Sequence, residues 1–440
     1  MKDLFTSFAA TVLILLLTVI QGILSARWLL PQGKGELTAV MLWPTMLVAV
    51  GSLGLGDAMA FHTTQTAGTD GRRLSAAALW IALTLSGVLV GAGYLILPVV
   101  LGRYDPSIIQ TSKLFLWYIP PTLVTTGCLA GVLLGKLKLL QYNILRVSVY
   151  VTSLSVMIAF YLLGQVSVRN FVVAFLASSW GALMVAVFFV VARGWIGWRF
   201  TFETIASMKK LLTYGVKVHI GSLAGMLNLR LDQLLLSAFL PPSILGLYVV
   251  AVSVGSGAGL VASAIAFVAF PRLSNLPSGA GRAQALGRFM RLNLMATAVV
   301  AGTLFLGAPW IIRFFFGAAY AESVGLARIL ILAALPLGSN AILAAGLKAH
   351  NLPAVSSRAE VLGLVVTALA LLGLLPTFQA VGAAWASLLA YSATFIYMTG
   401  QTRRQMNVRL AELFLPGWSD WNYLKDLVAR VRLAQTKALK

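Results

Sequence analysis

The polar side chains best placed to do chemistry in this sequence lie in one apolar run, between residues 217 and 232. Lys217, Asn228, Arg230 and Asp232 all fall there. Charges in hydrocarbon are costly, and most of them bind a ligand or pair with an opposite charge. The planar guanidinium of Arg230 suits phosphate or carboxylate groups. The segment therefore predicts either an anion-binding site or an ion pair that holds helices together.

The helical period assigns these side chains to faces. At about 100° per residue, Lys217, Asn228 and Asp232 share one face of a continuous helix, and Arg230 lies nearly opposite. Arg230 and Asp232 therefore need separate partners. We place Lys217, Asn228, Arg230 and Asp232 together in a candidate binding set.

Three polar residues near the N-terminus add to the candidates. Arg27 ends the first apolar run, where it either draws anions into a cavity or extends to the membrane surface. Gln21 lies inside the same run and joins the binding set with Arg27. Asp57 lies near the end of the second run. Its carboxylate is a candidate for coupling to a proton or another ion, and the alternative is a helix cap or an ion pair with Arg72.

Other kinds of chemistry lack a sequence signal. The three His residues, at 62, 219 and 350, lack metal-ligand spacing, and Cys128 is the single cysteine. Residues 131–137 imitate a phosphate loop, but no Ser or Thr follows Lys136. We therefore expect no catalytic residue, no metal and no cofactor, and we do not expect an enzyme.

The elements that carry these residues are membrane spans. Of the 440 residues, 59% are hydrophobic and 10% are charged, against roughly 25% charged in soluble domains. A spanning helix needs about 20 apolar residues. Twelve such runs lie near residues 7–28, 37–61, 75–100, 114–134, 147–163, 171–192, 215–239, 245–270, 292–315, 325–346, 361–376 and 381–399. The fold class is an all-α membrane protein with 12 transmembrane helices.

Basic residues between the runs predict the orientation. The formal charge is +21, but the cations are scattered between spans, so nucleic acid is not an expected partner. Of the 33 Lys and Arg, 24 fall on the side of the N-terminus and 7 on the other. Cytoplasmic loops carry the excess of Lys and Arg. Both termini are therefore predicted in the cytoplasm.

A repeat relates the two halves of the chain. Ser25, Pro31 and Gly35 follow the first span as Ser237, Pro242 and Gly246 follow the seventh, at offsets of 211 or 212. Gln21 and Asp232 also differ by 211, so we expect both to face one axis. Two parallel six-helix lobes around a central cavity follow, at residues 1–200 and 201–400. Residues 401–440 are predicted to be a basic amphipathic tail on the inner leaflet.

The sequence resembles the lipid-linked oligosaccharide (O-antigen-unit type) flippases, polysaccharide biosynthesis export proteins of the multidrug/oligosaccharidyl-lipid/polysaccharide exporter superfamily. The resemblance extends to about residue 400 and rests on short motifs in a fixed order. They lie at residues 26–36, 54–58, 228–233, 245–248, 270–274, 316–320 and 381–385.

The resemblance implies a flippase. Such proteins pass an undecaprenyl-diphosphate-linked oligosaccharide from the cytoplasmic to the outer leaflet of the bacterial inner membrane, for the synthesis of surface polysaccharide such as lipopolysaccharide. The implied partners are the lipid-linked glycan, membrane lipids and other polysaccharide-assembly membrane proteins. One alternative is a cation-coupled multidrug exporter of the same superfamily. Another is a membrane glycan polymerase or ligase, which the lack of a large external loop disfavours.

Overall fold

The computed structural model of the chain describes residues 2–66, 68–277 and 279–415. Every regular element within those ranges is a helix. The α-helices are α1 (Lys2–Gly51), α2 (Leu55–Gln65), α3 (Gly68–Val100), α4 (Pro106–Phe115), α5 (Ile119–Leu123), α6 (Ala130–Gly135), α7 (Leu139–Leu162), α8 (Val168–Val191), α9 (Phe202–Asn228), α10 (Leu231–Phe239), α11 (Pro242–Ser274), α12 (Ala280–Ile311), α13 (Ser323–Ala349), α14 (Pro353–Met406) and α15 (Leu410–Phe414).

Two of these helices are far longer than a membrane is thick. The spanning parts of α1 and α14 have 46 and 54 residues, whereas about 20 residues cross the hydrocarbon. Each bends at one residue with non-helical dihedral angles, Leu30 (φ 59°, ψ 174°) and Gln379 (φ 49°, ψ −127°). Each therefore contains two spans joined by a sharp bend, as the sequence predicted.

The twelve predicted spans are confirmed on this basis. Nine helical stretches within the described ranges are long and apolar enough to cross a membrane. Dividing α1 and α14 at their bends raises the number to eleven. The twelfth is α9 followed by α10. α9 has 27 residues, but it carries Glu203, Lys209, Lys210 and Lys217 and is less apolar than the other spans, and α10 has nine residues.

The prediction of a continuous seventh helix over 215–239 is wrong at its centre. α9 ends at Asn228, and α10 begins at Leu231 after Arg230 adopts φ −132° and ψ −10°. The backbone N–H of Arg230 donates to the carbonyl of Leu227, which tightens the last turn. The Asp232 carboxylate accepts from the N–H of Gln233 at 2.7 Å, a local bond that competes with helix continuation. The shared helical face predicted for Asn228 and Asp232 therefore does not extend across the break.

The second span is interrupted as well. α1 ends at Gly51, Leu53 and Gly54 have positive φ, and α2 begins at Leu55. A Cβ on Gly54 would overlap the carbonyl oxygen of Gly215, and one on Gly215 would overlap that of Leu53. The backbones of α9 and the 52–54 break therefore touch, and side chains are excluded from this crossing.

The two copies of the predicted repeat pack against each other. A Cβ on Gly35 would overlap the carbonyl oxygen of Pro242, and one on Gly246 would overlap that of Pro31. Each copy thus offers the other the same surface, which is what a two-fold axis between them requires. The contact fits the parallel arrangement predicted for the repeat.

Two compact units are distinguished by their internal contacts. One comprises Met1–Ser253 with Ile312–Ser323, and the other Val254–Ile311 with Val324–Lys440, of which the structure describes residues up to 415. In the second unit, α15 packs against α12, and Leu413 is fully buried. The predicted lobes at 1–200 and 201–400 and the tail at 401–440 stay predictions. The amphipathic helix expected near residues 424–434 lies outside the described residues.

The repeat contact yields a stability prediction. In the variant Gly246→Ala the added methyl group meets backbone rather than a movable side chain, so we expect a loss of about 1–3 kcal/mol, typical of overpacking. The measurement is the melting temperature of the purified protein in detergent.

The matched control is Gly259→Ala, which lies on the same helix with no atom within 4 Å of its Cβ position. This variant should melt at or slightly above the wild-type temperature because alanine favours the helix by about 1 kcal/mol. Equal melting of Gly246→Ala and the wild type would contradict the packing described for the repeat.

Candidate functional site

A polar cavity of about 550 Å³ lies in the first compact unit. Parts of α1, α2, α7 and α9 surround it, together with the stretch from Thr122 to Leu134. The polar residues in its wall are Ser52, Asp57, Thr122, Thr125, Thr126, Tyr142, Arg146, Tyr150 and His219. Polar groups within membrane helices are expensive to place and usually serve function. This cavity is therefore the candidate functional site.

Two opposite charges share the cavity. Asp57 lies in the first turn of α2, where the helix dipole favours a carboxylate, and it is exposed. The Arg146 guanidinium lies over the ring of Tyr142 at 5.6 Å from its centre. Asp57 and Arg146, both described, form no ion pair with each other or with Arg72. Both charges therefore face the cavity with binding capacity left for a ligand.

Another part of the cavity wall is formed where the backbone of α2 packs closely on the segment around Thr126. A Cβ on Gly56 would lie 2.6 Å from the carbonyl oxygen of Thr126, so α2 approaches this segment without side chains between. Val124–Leu129 forms a π-helix, a feature often found at functional sites. The Thr125 hydroxyl in this turn is buried and has no hydrogen-bond partner within the described structure. It is a donor in the cavity wall that a ligand can use.

One face of α7 explains why the cavity is polar. Tyr142, Arg146 and Tyr150 recur at intervals of four residues and therefore line up along the helix. This spacing was readable in the sequence, but Arg146 counted there only toward orientation. His219 enters from α9, where a ring nitrogen lies 3.0 Å from the carbonyl oxygen of Val50.

Gln21 lies behind this wall. Its amide nitrogen donates to the carbonyl of Tyr150 at 2.8 Å and to the Ser153 hydroxyl at 2.6 Å. Gln21 is buried and joins α1 to α7. It therefore holds the backbone of a cavity residue in place.

Arg27 contacts a second interrupted helix. Its guanidinium donates to the carbonyl of Phe315 at 2.7 Å and also to that of Phe314. These carbonyls belong to the π-helix Ile312–Phe316. Nearby, the Tyr320 hydroxyl donates to the carbonyl of Ala26 at 3.0 Å. The end of the first span is thus joined to residues 312–320.

The residues at the α9–α10 break divide into buried and exposed groups. Asp232 is 5% exposed and accepts a 2.5 Å hydrogen bond from the hydroxyl of Tyr248, which is fully buried. Asn228 is buried as well. Arg230 is exposed, and its guanidinium donates to the Gln233 amide oxygen at 3.2 Å. Two motifs of the resemblance, at 228–233 and 245–248, therefore meet through Asp232 and Tyr248.

Of the seven predicted site residues, all of them described, Asp57 alone lines the cavity. Lys217 is exposed and lines a separate recess between α2 and α9. Sequence reasoning missed Tyr142, Arg146, Tyr150 and Thr125. The roles predicted for Gln21, Arg27, Lys217, Asn228, Arg230 and Asp232 in binding, and for Asp57 in coupling, stay predictions.

Twelve spans, interrupted helices and an internal polar cavity describe a polytopic all-α membrane protein. The chain belongs to the polysaccharide biosynthesis protein family, whose model matches residues 1–276. No curated protein matches the chain by sequence.

Solved structures share this fold at low sequence identity. The lipid II flippase MurJ in an inward closed conformation is 15% identical, with a TM-score of 0.68 over 91% of this chain and 87% of that one. An inward-facing multidrug resistance MATE family transporter of the MOP superfamily is 12% identical, with a TM-score of 0.64 over 91% and 98%. The MATE multidrug transporter DinF-BH, solved as a complex, is 12% identical, with a TM-score of 0.61 over 92% and 95%.

The buried Asp232–Tyr248 pair predicts a loss of stability on removing one hydroxyl. Tyr248→Phe leaves a buried carboxylate without that donor, which should cost about 1–3 kcal/mol. Thermal melting in detergent measures the change. Tyr94→Phe, at an exposed tyrosine, is the control and should melt as the wild type does. If both variants melt alike, the Asp232–Tyr248 bond does not stabilise this region.

Proposed function

We propose that the chain is a flippase that moves an undecaprenyl-diphosphate-linked oligosaccharide from the cytoplasmic to the outer leaflet of the bacterial inner membrane. The product would supply surface polysaccharide synthesis, lipopolysaccharide included. The match of residues 1–276 to the polysaccharide biosynthesis protein family is the observation that carries the proposal. The fold shared with the lipid II flippase MurJ is consistent with it.

The chemistry of the cavity suits a sugar. Tyr142 and Tyr150 offer ring faces and hydroxyls, and the Thr125 hydroxyl has no partner in the described structure. Asp57 accepts hydrogen bonds from sugar hydroxyls, and Arg146 donates to them. Such a wall binds a neutral or mixed glycan more readily than a purely apolar molecule.

The break between α9 and α10 suits the diphosphate. Arg230 keeps most of its donors after one bond to Gln233, and a guanidinium binds phosphate oxygens in pairs. The N-terminal end of α10 adds the positive end of a helix dipole. Asn228 and Asp232 flank the break and, in this proposal, set its shape while Arg230 makes the contact.

Gln21 and Arg27 act in this proposal through the positions they hold. Gln21 fixes the α7 backbone beside the cavity, and Arg27 fixes the end of the first span against Phe314 and Phe315. Both termini lie in the cytoplasm, and the interrupted helices allow access to alternate between the two sides. Other polysaccharide-assembly proteins would act before and after the transfer.

Asp57 is the coupling carboxylate in this proposal because it is exposed in the cavity without an ion pair. The same observation also favours a cation-coupled multidrug exporter, in which an acidic group attracts a cationic drug. Arg146 in the same wall argues against that alternative because it repels cations.

A deletion strain tests the proposal. Without the chain, lipid-linked oligosaccharide should accumulate and surface glycan should disappear, and the wild-type gene should restore both. Complementation with Arg230→Ala should reduce surface glycan about tenfold or more, since charge-assisted hydrogen bonds contribute about 1.5–3 kcal/mol each. Immunoblots of the membrane fraction check that the variant inserts.

Arg169→Ala serves as the matched control because Arg169 is an exposed arginine at the start of α8, outside the cavity and the break. It should restore glycan fully. Normal surface glycan in the deletion strain, together with raised sensitivity to cationic drugs, would reject the flippase in favour of the exporter.

A further inference from the structure

A second recess lies between α2 and α9, apart from the polar cavity. Its volume is about 410 Å³. The residues that line it are His62, Ala206, Lys209, Lys210, Thr213, Tyr214 and Lys217. None of these lines the polar cavity, so the two sites are distinct in composition.

The recess is strongly cationic. Lys209, Lys210 and Lys217 are all exposed, and they lie on one side of α9 at spacings of seven and eight residues. No acidic residue is among the residues that line it. Glu203, one to two turns away on α9, is bound to Arg73 at 2.8 Å. Three ammonium groups are therefore gathered without a carboxylate among them.

Aromatic rings form the floor of the recess. Tyr214 stacks on Phe61 with 4.4 Å between ring centres and an 8° angle between planes. It also meets the His62 ring edge to face at 5.4 Å. This packing fixes the distance between α2 and α9 at the recess, so the lysines project from a rigid base.

His62 supplies an observation independent of the lysines. Its side chain is 6% exposed, and neither ring nitrogen has a hydrogen-bond partner within the described structure. His62 lies one residue beyond the predicted second span. A buried imidazole whose two nitrogens lack a hydrogen-bond partner, beside three lysines, leaves polar groups available to a ligand.

We propose that the recess binds the diphosphate of a lipid headgroup, with Lys209, Lys210 and Lys217 as cationic contacts and His62 as a hydrogen-bonding group. Lysine binds phosphate as a point charge with three donors. The proposal rests on the proposed function, in which a lipid-linked diphosphate is the substrate, and it assigns that substrate a first contact at the predicted cytoplasmic end of α9.

The order of residues along α9 places the recess before the cavity. Residues 206–217 line the recess, whereas His219 and Met226 line the cavity. The Gly54–Gly215 crossing lies near the boundary on α9 between the residues that line the recess and those that line the cavity. A headgroup held at the recess is thus positioned next to this crossing, ahead of the cavity along α9.

The excess of positive charge on the cytoplasmic side of membrane proteins does not by itself explain the residues of the recess. Lysines at a cytoplasmic helix end are expected from the distribution of charge in membrane proteins. That rule does not explain a buried histidine with both nitrogens unsatisfied at the same place. A phosphate ligand accounts for the lysines and the histidine together.

The test is a calorimetric titration of the full-length protein in maltoside detergent with sodium pyrophosphate. We expect saturable binding by the wild type. The triple variant Lys209→Gln, Lys210→Gln and Lys217→Gln should bind about tenfold or more weakly because it loses three charged contacts. Lys138→Gln, at an exposed lysine outside the recess, is the control and should bind as the wild type does.

The outcomes separate the possible sources of phosphate. Absence of saturable binding, or equal binding by the triple variant and the wild type, would overturn the proposal. Phosphatidylglycerol added at the same phosphate concentration should not compete with pyrophosphate for the recess. Displacement of pyrophosphate by phosphatidylglycerol would show a site for bulk lipid and would reject a diphosphate site. Should the triple variant fail to fold by circular dichroism, Lys210→Gln alone should still weaken binding about threefold.

The same variants distinguish this proposal from the proposed function. In the deletion strain, the triple variant should restore less surface glycan than Lys138→Gln. Full restoration by the triple variant would reject the recess as a transport contact and leave the flippase intact. Normal glycan without any copy of the gene would reject the flippase, whatever the pyrophosphate titration shows.

Discussion

Hydrocarbon offers a peptide group no hydrogen-bond partner, so each break in a spanning helix must find its partners within the protein. At the α9–α10 break, Asp232 accepts from the Gln233 N–H and from Tyr248. At the π-helix Ile312–Phe316, Arg27 supplies donors to the backbone carbonyls. The interruptions are therefore stabilised features of the fold. They also place helix termini and charged side chains within the membrane-spanning part of the chain, where an unbroken helix would present apolar side chains.

This constraint also explains where the binding groups lie. The break at 52–54 starts α2 with Asp57 in its first turn, and that turn lines the polar cavity. The break at 229–230 leaves Arg230 exposed with one hydrogen bond. The 52–54 break touches α9 at Gly215, and the 229–230 break ends α9. Residues of α9 also line the recess. A substrate with a charged diphosphate and a polar glycan needs such separate environments, which supports the proposed function.

The sequence predicts the twelve spans because hydropathy is a local property, and the Pro31–Gly35 repeat because it recurs. The break at Arg230 escaped prediction because apolar residues surround it and mask the competition from Asp232. The partner of Asp232 could not be predicted either, since Tyr248 is sixteen residues away on another helix. The Tyr142–Arg146–Tyr150 face had a readable period, but its cavity depends on how α2 and α9 pack against it. Tertiary contacts thus decide which polar residues share a site.

The central claim is that the chain moves a lipid-linked glycan across a bilayer. The direct measurement uses purified protein in liposomes that contain a fluorescent undecaprenyl-diphosphate-linked sugar, with a membrane-impermeant quencher outside. Active protein should let the quencher reach more label, by transferring inner-leaflet lipid outward, than protein-free liposomes allow. Label that stays as protected as in protein-free liposomes, while the same vesicles transport a cationic dye, would contradict the account.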